Sequence, residues 1–192
     1  MINNSQKIYL ASSSPRRKKL LEQIGLKFDV LKINTPERIK KNEEPKNIVK
    51  RISLEKLKAA KKKVKNGIII TADTIVVFNN HVLGKPKNKK DAFRILDLLS
   101  GNTHQVYTGF SIFNSQNYKT ISEYEKTFVK FRKLTDEEIK EYIETGSPMD
   151  KAGAYGIQDD YGAVFIEKIN GCYYNVVGLP LSKFYKTLLR II

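Results

Sequence analysis

Apolar positions along this chain change their spacing repeatedly, from the two-residue repeat of strands to the three-to-four-residue repeat of helices. A short apolar run, Lys7–Ala11, leads directly into helical spacing over Pro15–Ile24, which stops at Gly25. Ser14 suits a helix N-cap, and Pro15 suits the first helical position, where a missing N–H costs nothing. Lys27–Ile33 alternates polar and apolar like a half-buried strand, and Asn34–Lys46, with two prolines, reads as a charged loop. Asn47–Lys65 carries an apolar stripe through Ile48, Val49, Ile52, Ala59, Ala60 and Val64, which predicts a helix. Gly67–Thr71 has the β-branched continuity of a strand buried on both faces. Asp73 and Thr74 break that run before Ile75–Phe78 resumes it, and Asn79-Asn80 signals a turn.

Further along, Asp91–Leu99 predicts a short helix, closed by Ser100-Gly101-Asn102. His104–Phe113 and Lys119–Phe131 read as long strands. Thr135-Asp-Glu-Glu138 is a capping box opening a helix to about Glu144. Gly162–Lys168 and Tyr173–Val177 read as strands, and Pro180–Ile192 as a terminal amphipathic helix. The order predicts an α/β fold: a mixed twisted sheet with flanking helices, two lobes around a central cleft, and one domain over residues 1–192.

Composition narrows the function. With 41% apolar residues among 192, the chain can bury a core. No window approaches the roughly 18 apolar residues of a membrane span, and the polar N-terminus lacks a secretory apolar region. Cys172 is the only cysteine, so no intramolecular disulfide forms, which suits the cytoplasm. It reads as a packed small residue rather than a nucleophile. The formal charge of +15 raises the question of nucleic acid. The lysines are spread along the chain rather than gathered in one arm, so the charge is read as a general bias that also helps draw in a polyphosphate. Lys61-Lys62-Lys63-Val64-Lys65 reads as the solvated end of a helix.

Four segments carry candidate chemistry. The first is the strand-to-helix elbow Ser12-Ser-Ser-Pro-Arg-Arg17. Arg16 and Arg17 fall where a helix dipole prefers acids, and a bound phosphate explains them, with Ser14 capping beside them. The plainer reading pairs one arginine with a carboxylate and solvates the other. The second is Asp73, a carboxylate at the end of a buried strand, which needs a partner, a metal or a catalytic role. As a structural residue it would simply cap the strand. The third is Gly84-Lys85-Pro86, a stiff turn that could present Lys85 to phosphate or be an ordinary exposed turn. The fourth is Lys151-Ala-Gly-Ala-Tyr-Gly-Ile-Gln158, where small residues admit a ring and the Gln158 amide can read a base edge. The phosphate-loop, dinucleotide and nucleophile-elbow glycine motifs are all absent, and His81 and His104 read as loop and surface residues.

Together Leu10-Ala-Ser-Ser-Ser-Pro-Arg-Arg17, Thr71-Ala-Asp-Thr74, Leu83-Gly-Lys-Pro86, Leu99-Ser-Gly-Asn-Thr-His104 and Val177-Gly-Leu-Pro-Leu181 resemble, in order and spacing, the Maf family of nucleoside triphosphate pyrophosphatases. The resemblance runs from Ile8 to Leu189 and implies a fold like that of inosine triphosphate pyrophosphatases. It implies cleavage of a nucleoside triphosphate between its α and β phosphates, a divalent cation (Mg²⁺ or Mn²⁺) and a homodimer; the composition and the spread of the lysines argue against a membrane or nucleic-acid partner. The Lys151–Gln158 loop resembles the branch acting on dTTP, UTP and their modified forms. By position, Asp73 matches the proton acceptor, and Arg16, Thr74 and Gln158 match specificity positions. Glu37, Lys56 and Lys85 match other site positions, with Glu37 and Asp73 as the implied metal ligands. Where the family pattern has glycine, this chain has Ser13. Two alternatives stand beside this reading: the same chemistry on a purine triphosphate such as 7-methyl-GTP, and a nucleotide- or RNA-binding protein without catalysis.

Overall fold

A computed structural model describes residues 6–158 and 161–192. In chain order the elements are β1 (Ile8–Leu10), α1 (Pro15–Gln23), β2 (Asp29–Val30), α2 (Pro45–Lys61), β3 (Ile68–Phe78) and β4 (His81–Leu83). Then follow α3 (Lys89–Leu99), β5 (Thr103–Asn114), β6 (Thr120–Phe131), α4 (Asp136–Glu144), β7 (Ile166–Asn170), α5 (Tyr173–Val177) and α6 (Leu181–Leu189). The strands form one mixed seven-stranded sheet in the order β2-β1-β3-β5-β6-β7, with β4 paired to β3 off that path. β1 runs parallel to β2 and to β3, in register from Ile8↔Ile68 to Leu10↔Ile70. β4 is antiparallel to β3, and β7 to β6. Asn79 and Asn80 both have positive φ, 47° and 60°, as a two-residue hairpin turn requires.

The chain divides into two compact units. One comprises Met1–Asp73, Thr108–Glu125 and Gly178–Ile192. There Leu57 and Ala60 of α2 pack with Ala11, Ile69 and Phe113. The buried face of α2 also includes Ile48, Val49, Ile52, Ser53 and Lys56, so two polar residues interrupt an otherwise apolar stripe. Helix and sheet come very close at Gly109 of β5, where an added Cβ would sit 2.5 Å from the backbone carbonyl of Val49. Ser53 Oγ and Ser111 Oγ are 2.8 Å apart, and Thr71 Oγ1 donates to Ser53 O at 2.8 Å.

The other unit comprises Thr74–Tyr107 and Lys126–Val177. Its core gathers Ile95, Leu96 and Leu99 of α3, Ile139, Tyr142 and Ile143 of α4, and Phe131 and Phe165. The unit that holds Asp73 has 23 Lys and Arg against 9 Asp and Glu, and the other has 12 against 11. The charge is therefore not spread evenly, because the basic residues of distant segments fold into the same unit.

Several expected elements come out differently. The sequence between Lys27 and Ile33 pairs only at Asp29 and Val30, both exposed, so the predicted half-buried strand is a two-residue edge. α2 starts at Pro45, which takes the first turn, and ends at Lys61; Lys62, Lys63 and Lys65 lie beyond it, exposed. β3 is one uninterrupted strand across Asp73 and Thr74. Tyr161–Phe165 forms a 3-10 turn before β7, and Tyr173–Val177 is a helix, not a strand. Asn175 anchors that helix by donating Nδ2 to Val106 O at 3.0 Å and to Thr127 Oγ1 at 2.9 Å, which outweighs local strand preference. His104 is buried, not a surface residue: it stacks edge-on with Phe131 and Tyr155 and its Nε2 lies 2.7 Å from Tyr155 Oη.

Candidate active site

The β1–α1 elbow is built by local chemistry. Ser14 caps α1, its hydroxyl accepting from Arg17 N at a long 3.5 Å, and Pro15 follows at the first helical position. Ser12 Oγ accepts from Ser14 N at 3.3 Å and from Arg17 Nη1 at 3.1 Å. Arg17 turns inward, donating its Nε to Gly178 O at 2.9 Å, and is buried. Burial pulls its guanidinium below the usual arginine range, while the negative charges of Asp73 and Glu37 act in the opposite sense. Arg16 stays half-buried on the first turn. Ser13 is exposed and is not among the residues of positive φ, so the side chain in place of the family's glycine strains nothing.

Because β1 and β3 are parallel, the elbow leaves β1 on the same level at which β3 reaches Asp73. Ala11 N donates to Ile70 O at 2.8 Å, the last bond before β1 turns away. Asp73 therefore stands at the carboxyl end of the parallel part of the sheet although its own strand continues, the usual place for a site in an α/β sheet. Residues alternate along β3, so Ile69, Thr71 and Asp73 share the face that meets α2.

Lys56 completes the arrangement. Its Nζ donates to Asp73 Oδ1 at 2.7 Å, to Glu37 Oε1 at 2.6 Å and, at 3.4 Å, to Ala72 O. Asp73 is 5% exposed, whereas the Glu37 side chain is 53% exposed, so one carboxylate is internal and the other faces solvent. Asp73 Oδ2 accepts no hydrogen bond from the described residues. Two carboxylates converging on one cation form a donor set that suits Mg²⁺ or Mn²⁺, which bind through one or two carboxylates plus water and phosphate oxygens. Among the described residues no group of three or more His, Cys, Asp or Glu gathers around a metal position.

The remaining candidate residues lie in the other unit. Thr74 follows Asp73 on the opposite face of β3 and is half-buried. Lys85 is exposed after β4, next to the buried Pro86. The segment leading to Gln158 is tied to that turn, since Gly153 N donates to Gly84 O at 3.1 Å. Gly153 has φ 75°, and a Cβ there would meet the Val76 side chain at 2.8 Å, so glycine lets this segment lie against β3. Gln158 Oε1 is buried and has no hydrogen-bond partner among the described residues, so it can accept from a bound ligand.

The structure thus brings Ser14, Arg16, Arg17, Glu37, Lys56 and Asp73 into one unit, and Thr74, Lys85 and Gln158 into the other. Sequence reasoning missed Ser12 as the partner of Arg17. The signal for the Lys56–Asp73 pair was a lysine on the buried stripe of α2, in register with a carboxylate inside a strand.

The family model described as Maf-like protein matches residues 7–191. Among curated relatives, a protein of Clostridium botulinum (strain Kyoto / Type A2) named dTTP/UTP pyrophosphatase is 47% identical, over 96% of each chain. One of Thermosipho melanesiensis with the same name is 52% identical, over 94% of this chain and 96% of its own. One of Bacillus anthracis, again so named, is 45% identical, over 95% and 94%.

Proposed function

This chain belongs to the Maf-like protein family, and from that footing we propose that it hydrolyses dTTP and UTP to the monophosphate and pyrophosphate. The observation that carries the reading is the buried Asp73 carboxylate, held at Oδ1 by Lys56 and without a donor at Oδ2 among the described residues, beside two arginines at a helix start.

In this reading Asp73 orients water through Oδ2 and takes its proton as the water oxygen attacks the α-phosphorus. The new bond joins that oxygen to the α-phosphorus, and the bond to the bridging oxygen breaks, so pyrophosphate leaves with the electron pair. Lys56 holds Asp73 in one rotamer, and with Arg16, Arg17 and Lys85 it offsets the charge of the triphosphate. A divalent cation held by Glu37 and Asp73 would supply charge neutralisation on the phosphate oxygens. Gln158 offers its orphan Oε1 to the N3–H that uracil and thymine share, and Thr74 assists in choosing the base.

Purified protein, incubated with Mg²⁺ and a panel of canonical and modified triphosphates, tests this directly when pyrophosphate and phosphate are assayed separately. Pyrophosphate with dTMP or UMP is the expected outcome; phosphate release, or silence from a folded protein, overturns it. We place the activity in the cytoplasm; among the described residues no helix is long and apolar enough to cross a membrane. A homodimer is expected as well, and light scattering should give twice the 22.0 kDa chain mass.

A further inference from the structure

Glu37 sits on an irregular stretch that faces solvent. Residues 34–44 contain no helix or strand, and from Asn34 to Asn42 none is buried. A segment with so little apolar burial opens readily unless polar contacts restrain it. Helix α2 supplies those contacts through Arg51. The guanidinium donates Nε to Glu43 Oε1 at 2.7 Å and Nη2 to Glu43 Oε2 at 2.6 Å, a two-pronged pair. Nη2 also donates to Arg38 O at 2.8 Å, and Nη1 reaches Glu55 Oε1 at 3.1 Å on the same helix. Arg38 directly follows Glu37, so this one side chain fixes the peptide next to the carboxylate that meets Lys56.

The Arg51 and Glu43 side chains are 19% and 14% exposed, so the pair is better shielded than a surface ion pair. Arg51 correspondingly holds the Glu43 carboxyl below the usual range. Only an arginine spans this pattern, because a lysine has no planar fork to meet both carboxylate oxygens. Lys56, five residues further along the same helix, grips the segment a second time through Glu37 itself. We infer that Arg51 is a positioning residue for the reaction: its fork onto Glu43 and the Arg38 carbonyl straps residues 37–43 to α2, so that the Glu37 carboxylate is presented beside Lys56 and Asp73. The inference rests on the proposed role of Glu37.

Hydrogen exchange on the full chain and a double-mutant cycle test it together. Arg51→Gln should speed exchange of the amides of residues 37–43 by about tenfold or more while Ile69 and Ile70 in β3 stay protected. Arg51→Lys should behave the same way. On kcat/KM for dTTP, Arg51→Gln should cost about tenfold in the native chain but less than about twofold when Glu37→Gln is already present. Glu43→Gln, which leaves the helix and Arg51 in place, should reproduce both effects to a smaller degree and covers the case in which Arg51→Gln fails to fold. Unchanged exchange in these variants, or an equal loss with and without Glu37, overturns the inference. If the native chain cleaves no triphosphate, the proposed function fails, and the exchange comparison alone then decides whether the strap exists.

Discussion

Replacing Gly109 by alanine should push helix α2 off β5 and carry Lys56 with it. The added Cβ would lie 2.5 Å from both the carbonyl carbon and the oxygen of Val49, and 2.9 Å from Lys50 N. These are backbone atoms of a helix, which cannot rotate away as a side chain can. Carbon atoms pack best at about 3.5–4.0 Å, so the helix must retreat by about 1 Å. In an unconstrained place Gly→Ala stabilises by roughly 0.4–1 kcal/mol through the unfolded chain. Here overpacking, at about 1–3 kcal/mol, outweighs that gain. For a chain of this size each kcal/mol moves Tm by about 2–4 °C, so a fall of several degrees is expected. Activity should suffer more than stability. Lys56 lies about two turns beyond Val49, and its Nζ holds Asp73 at 2.7 Å; a shift of about 1 Å in a positioned group can cost about 100-fold in rate. A thermal melt and kcat/KM for dTTP measure the two effects. An equal or higher Tm with unchanged kcat/KM would refute the close approach, and a lower Tm with full activity would refute the link from Gly109 to Lys56.

Asp73→Asn keeps the shape and an acceptor for Lys56 but loses the base, so kcat should drop by about 10²–10⁴-fold in a folded protein; near-native turnover would remove Asp73 from the chemistry. Gln158→Ala should change the ratio of dTTP and UTP to purine triphosphates while leaving the melt unchanged, and an identical substrate profile would show that the base is read elsewhere. Burial lowers His104 to about 4 from 6.5, so the unfolded chain binds the extra proton between those values. Stability should fall by about 3 kcal/mol as pH drops from about 6.5 to about 4, and urea titrations comparing the native chain with His104→Asn isolate that slope. A difference that stays flat through this window would mean that His104 titrates normally.

What could be read from sequence was mostly local. Ser14 with Pro15, the Thr135 capping box and the Asn79-Asn80 turn each depend on residues within four positions, and all three form as their chemistry dictates. Asp73 stands out in the sequence as a residue needing explanation, but its polarity predicts a break in β3 that the strand does not have. Its partner Lys56 lies 17 residues away on a helix, and that pairing is what lets the strand continue through it. Tyr173–Val177 has strand-like side chains, and the tie of Asn175 to Val106 and Thr127 makes it helical. Arg51, Glu43 and the Arg38 carbonyl meet only because an irregular segment folds back on α2, a geometry with no periodic signature.

The uneven charge of the two units sets a problem of competition. Every nucleoside triphosphate presents the same phosphates, so a unit with 23 basic and 9 acidic residues gathers abundant and scarce nucleotides alike. Attraction of that kind shortens the search without improving the choice, and it crowds the entrance with wrong bases. Rejecting them falls to uncharged groups that act only at contact, the task proposed above for the amide oxygen of Gln158. Added salt should therefore slow capture of all triphosphates by a common factor and leave their ranking intact.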